Sequence, residues 1–157
     1  MTDASFHDAD PAPLALRAED TEDLRVIATL AQDAILTVGD LTYDRRGRRF
    51  SALLNRFRWE DADAARREDR PYERVRALLV ISDVVAVRSD GIARDDAGLV
   101  LSLLDLEWQP GEDGTGRLIL NLAGDGAIAL DVECLSVDLR DVTRPYAAVS
   151  GQMPTHD

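Results

Sequence analysis

The stretch from Asp33 to Glu60, DAILTVGDLTYDRRGRRFSALLNRFRWE, sets the fold class. Its apolar residues alternate or run together in short blocks, and polar clusters carrying glycine separate the blocks. The pattern predicts strand, turn, strand, an arginine-rich hairpin tip at residues 45–48, and a long strand from Phe50 to Trp59. Phe50, Ala52 and Leu54 fall on one face of that strand; Leu53, Phe57 and Trp59 fall on the other. A strand covered on both faces is expected to lie centrally in a sheet or barrel wall.

Upstream, Leu14 to Arg17 reads as a short first strand. Asp20 then reads as a helix N-cap, with Glu22 and Asp23 in the first turn, where their charge favours the positive end of the helix dipole. Leu24, Ile27, Ala28 and Ala31 recur at helical spacing, so a helix is expected from Thr21 to Ala31, lying on a sheet. Downstream, Glu60 to Glu73 reads as a polar surface loop with a possible helical turn at Ala62–Arg67. Val75, Ala77, Leu79 and Ile81 alternate inward, and a bend is expected at Ser82-Asp83. On the strand from Leu99 to Trp108, Val100, Leu104, Leu106 and Trp108 are expected to share one face. Gly124-Asp125-Gly126 between alternating segments predicts a hairpin. Beyond it the apolar parity switches at Cys134-Leu135, which predicts a bulge there. The sum is an α+β domain: a mainly antiparallel sheet or barrel of about eight strands with one N-terminal helix packed on it.

The chain of 157 residues is expected to form one domain over 14–149, with disordered tails at 1–13 and 150–157. No apolar run approaches the roughly 20 residues that cross a bilayer, and Asp3, Asp8 and Asp10 stand where a secretory signal would be apolar. A cytoplasmic protein without membrane contact is expected, and the single Cys134 agrees.

Composition narrows the chemistry. All 18 basic residues are arginine, so no Schiff-base lysine or Walker-type phosphate loop can exist. Both histidines, His7 and His156, lie in the expected tails. The body then lacks the imidazole of a Ser-His-Asp triad or an ordinary zinc site. No catalytic residue, cofactor or metal is predicted. Net charge is −12, yet residues 45–76 hold eleven arginines against six acids, a local +5 on a remainder of −17. Such a chain is not expected to bind nucleic acid in general.

Four constellations stand out. Arg45, Arg46, Arg48 and Arg49 crowd the hairpin tip. Arg56 and Arg58 follow on the same strand beside Trp59. Arginine forks suit carboxylate and phosphate, so these seven residues are the candidate partner- or anion-binding set; the competing reading is that they pair with acids on neighbouring strands. Asp131 and Glu133 share a face and could serve as acid and base, although alternating acids are ordinary on an outward face. Cys134 is expected in the core. Asn55, between apolar positions, is expected to need a buried hydrogen-bond partner.

The stretches DAILTVGDLTYD, RRFSALLNRFRWED, VISDVVAVRSDGI, LSLLDLEW and GDGAIALDVECLSVDLRDV resemble an uncharacterised alphaproteobacterial family known only as a domain of unknown function, DUF2948. The resemblance runs from Leu14 to about Val142. It implies a bacterial cytoplasmic protein and assigns no activity, cofactor or catalytic residue. The functional expectation is a non-enzymatic binding or assembly module, joining an unknown protein partner or a second copy. The alternatives are a carboxylate-dependent enzyme, with or without a metal ion, and a weak RNA-binding protein using Arg45 to Trp59.

Overall fold

The structure is a computed structural model that describes residues 13–149 and 153–154. The N-terminal tail expectation, most of the C-terminal one and both histidines fall outside those residues. Eleven strands and two helices follow in order: β1 Ala15–Ala18, α1 Thr21–Ala31, β2 Ile35–Thr37, β3 Leu41–Asp44, β4 Arg49–Phe57, α2 Trp59–Arg67, β5 Glu73–Ile81, β6 Val84–Asp90, β7 Val100–Pro110, β8 Gly116–Leu122, β9 Ala127–Val132, β10 Val137–Asp141 and β11 Tyr146–Ala147. They form one antiparallel sheet in the order β1-β10-β5-β4-β2-β7-β8-β9-β6, with β11 added to β5 and β3 to β4. The expected α+β class holds, with eleven strands rather than about eight and a sheet that does not close into a barrel.

The sheet wraps a single core. The inward sets of β4, β5 and β10 meet those of β7, β8 and β9 there. Leu24, Ile27 and Ala31 bring α1 onto the same core. The helix begins and ends as expected, and the Asp20 side chain accepts the Asp23 N–H at 2.8 Å. The end strand β6 approaches the β3–β4 hairpin: Val84 N–H donates to the Arg48 carbonyl, and the Tyr43 hydroxyl donates to the Val84 carbonyl. Closure stops at those contacts.

Central placement of β4 follows from its neighbours. It pairs with β5 along its full apolar length, from Phe50↔Ile81 to Phe57↔Arg74, and its other edge is shared by β3 and β2. The hairpin tip is built by Asp44, whose carboxylate accepts the Gly47 N–H at 3.0 Å, and by Arg48 in the left-handed region at φ 56°. In the β8–β9 hairpin the positive φ values fall on Gly124 and Asp125, one residue earlier than the sequence suggests. The bend at Ser82-Asp83 is present, with Asp83 at φ 57°.

Four expectations are corrected. Residues 59–67 form a nine-residue helix rather than a loop. Its buried face is only Ala62 and Ala65, too small to stand out as a periodic signal among the surrounding charges. On β7 a bulge between Leu103 and Asp105 resets the parity, so Leu101, Leu103 and Leu106 are buried while Val100 is exposed and Leu104 half-buried. The parity switch near Cys134 is no bulge within one strand: the chain leaves β9, in one half of the sheet, and enters β10, between β5 and β1 in the other. Leu135 turns inward at that crossing and Cys134 is exposed, not in the core.

Candidate functional site

The seven candidate residues do not form one site. The tip and Arg56 stand at opposite ends of β4, about 25 Å apart at the rise of a strand.

At the far end, Arg56 continues the inward parity of Phe50, Ala52 and Leu54, and its side chain is fully buried. Two carboxylates hold it. Nε and Nη2 donate to Asp141 at 3.1 Å each; Nη1 and Nη2 donate to Glu60 at 2.9 and 2.8 Å. Nη1 also donates to the Phe57 carbonyl. Asp141 in turn accepts the Leu14 N–H at 3.0 Å. Four chain segments thus meet on one guanidinium. Arg58, also buried, pairs with Glu73 and lies 3.6 and 3.8 Å from Glu60 and Asp61. Both arginines are thus bonded to carboxylates, Arg58 to Glu73 on the neighbouring β5, and Arg56 to Glu60 on α2 and Asp141 on β10.

Phe57, on the outward face, is fully buried. Trp59 meets its ring edge-on at 4.6 Å, Tyr72 lies at 5.6 Å, and the Arg74 guanidinium stands 5.9 Å above it. Trp59 opens α2 rather than ending β4, and its Nε1–H donates to the Gln32 carbonyl at 3.0 Å. The aromatics that could have stacked bases are committed to holding α2 against the sheet. Asn55 is half-buried rather than buried, and its Oδ1 accepts from Arg74 at 3.3 Å.

Burial works to raise the Glu60 pKa, but the hydrogen bonds and charge of Arg56 outweigh it and leave the carboxyl below its ordinary value near 4.5. A depressed folded-state pKa contributes stability that is present above the unfolded value and lost as pH falls through the folded one. The stability difference between the parent and Glu60→Gln is therefore expected to shrink as pH drops below about 4.5, read by urea unfolding at each pH. A difference that is constant from pH 7 to 3 would contradict this account.

At the near end Arg45 and Arg46 are exposed on the tip, and Arg48 pairs with Glu133. Arg49 points onto the outer face of β3, β4, β5, β10 and β1. Register places two rows there: Thr42, Ser51, Val80, Asp138 and Arg17 form one; Leu53, Leu78, Arg140 and Ala15 form the other. Most of these residues line a hollow of about 640 Å³ that joins Leu78 and Val80 to Arg49, Arg17 and Arg140. Arg17 is tied to Asp138 at 3.0 Å; among the described residues Arg49 and Arg140 are in no ion pair. The sequence marks Arg49 but not Arg17, Leu78, Val80 or Arg140. Their period-two alternation was readable; that β5, β10 and β1 lie side by side was not.

The other candidates are separated. Asp131 accepts from Arg117 at 2.8 Å and Arg88 at 3.2 Å, and Glu133 takes Arg48, so the structure does not bring this acid pair to Arg56 or Arg58. The Cys134 thiol lies 3.2 Å from the Asp83 carboxylate, whose hydrogen bond and charge push its pKa up and keep it protonated. Among the described residues no group of three or more His, Cys, Asp or Glu converges as a metal site, and no helix is long and apolar enough to cross a membrane.

No curated protein and no solved structure matches the chain. The model of one family, described as a protein of unknown function (DUF2948), matches residues 14–156. With nearly the whole sheet and both helices inside that match, the chain belongs to the DUF2948 family.

Proposed function

We propose that the protein is a non-enzymatic binding module whose outer sheet face takes an acidic, apolar segment of a partner protein. The hollow that joins unpaired arginines to apolar side chains carries this reading: Arg49 and Arg140 supply forks for carboxylates, and Leu78 and Val80 supply apolar contact. Arg45 and Arg46 extend the positive edge along the adjoining tip. A local basic face on a chain of net charge −12 favours an acidic segment over a long polyanion, which the acidic body would repel. Burial of Phe57 favours this reading over RNA binding, which would need aromatic rings open for base stacking.

The test uses a labelled peptide of alternating glutamate and leucine, with a lysine-leucine peptide as control. The variant carrying Arg45→Glu, Arg46→Glu and Arg49→Glu is expected to bind the acidic peptide at least tenfold more weakly, with its thermal midpoint nearly unchanged, because all three side chains are exposed. Equal binding by parent and variant, or preference for the lysine peptide, overturns the reading.

A further inference from the structure

A second groove, of about 490 Å³, runs between α1 and β7 and shares no residue with the arginine-lined hollow. Its helix side takes every groove-facing position from Thr21 to Gln32 at helical spacing, three turns of one face. Its strand side is residues 104–108, five in succession. Successive strand residues point to opposite faces, so five together mean that the groove is bordered by the edge of β7, not by a face.

That edge is open. β2 pairs with β7 only at Val100, Leu101 and Ser102, and Ala34 and Asp33 bond Leu103. Past Leu103, β8 occupies one side of β7. Among the described residues no strand and no other backbone hydrogen bond takes up the opposite side at 104–108. An uncovered edge holds main-chain donors and acceptors that match an extended chain.

Side chains along the groove define what that chain carries. Ala28 and Trp108 offer apolar contact, with Leu24 and Leu106 buried beneath them. Asp105 and Glu107 bond only to the neutral amides of Asn121 and Gln109, so no cation compensates either carboxylate among the described residues. Those amide bonds hold the Glu107 carboxyl below its ordinary pKa and keep it charged. The only cation of the lining, Arg25, stands across the groove on the helix.

We propose that this groove captures an extended segment of a partner protein, apolar residues alternating with arginine or lysine, as a strand added to the open edge of β7 beneath α1. Main-chain hydrogen bonds supply the affinity, and the alternating side chains supply the choice. The apolar ones seat against Ala28 and Trp108, and the basic ones meet Asp105 and Glu107.

The experiment titrates the full chain with a labelled peptide of alternating arginine and valine. Two comparison peptides are used: one with alternate backbone nitrogens methylated, and one with glutamate for arginine. Ala28→Phe fills the groove from a half-buried helix position, and Glu107→Arg reverses the rim charge; hydrogen exchange at the core strands checks that both variants fold. Each variant, and each comparison peptide, is expected to lower affinity at least tenfold. Backbone amides at residues 104–108 are expected to gain exchange protection with the parent peptide alone. Three outcomes overturn the proposal: no binding, binding indifferent to backbone methylation, or binding unchanged in Ala28→Phe. A dimer that Ala28→Phe dissociates would assign the groove to a second copy and overturn it as well.

Discussion

Arg56→Met is expected to cost about 3–5 kcal/mol of folding stability, the scale of breaking a buried ion pair from one side. The arginine side chain is fully buried, and the Asp141 side chain is only 6% exposed, so Asp141 cannot recover its lost partner from water. Glu60, at 30%, can turn partly to solvent or to Arg58. Asp141→Asn keeps an acceptor for the Leu14 N–H but weakens the hold on Arg56. In the double variant neither charge is stranded, so the two losses are expected to fall short of their sum by about 0.5–3 kcal/mol. Urea unfolding of the parent, both singles and the double measures this coupling. A parent-like Arg56→Met would mean that the guanidinium is not held in the fold, and would return Arg56 to the list of anion-binding candidates.

Phe57→Ala is expected to cost about 3–5 kcal/mol, as large aromatic truncations in packed sites do. The ring has no exposed surface and touches Trp59 and Tyr72, while Arg74 closes it from above. It belongs to none of the main core; it pins α2 to the outer face of β4, where Ala62 and Ala65 alone present little apolar area. Local exchange across residues 59–67 is therefore expected to accelerate more than exchange in β8 or β9. Phe57→Leu, which restores part of the volume, is expected to lose less. Should Phe57→Ala unfold at the urea concentration of the parent, the ring would be open to solvent, and base stacking by this strand would regain its footing.

Arg56 is a ligand-binding candidate of the sequence and Phe57 lies within the stretch of the RNA-binding alternative; the tertiary structure uses both for holding the chain together. The difference matters for function. With Arg56, Arg58 and Trp59 committed to internal bonds, the exposed arginines of the tip and Arg49 and Arg140 on the outer face remain as the positive surface.

Local chemistry made much of this chain legible from its letters. The bounds of α1 and its Asp20 cap follow from apolar spacing and a side chain that satisfies a helix-end N–H. The bend at Asp83 and the turn at Gly124-Asp125 follow from residues that tolerate positive φ. The inward sets of β4 and β5 follow from period-two alternation. Each is decided within a few residues, where sterics and hydrogen bonding act without reference to the rest of the chain. What only the folded chain decided is which distant segments meet. Arg56 is buried because Asp141, 85 residues away, arrives beside it on β10. Cys134 is exposed because the chain crosses there from one half of the sheet to the other, and the edge of β7 is open past Leu103 because β2 begins only at Ile35, where the chain arrives from α1. A buried charge, a side chain's face at a crossing and an unpaired edge are all properties of neighbours, and the neighbours are chosen by packing the whole sheet around one core.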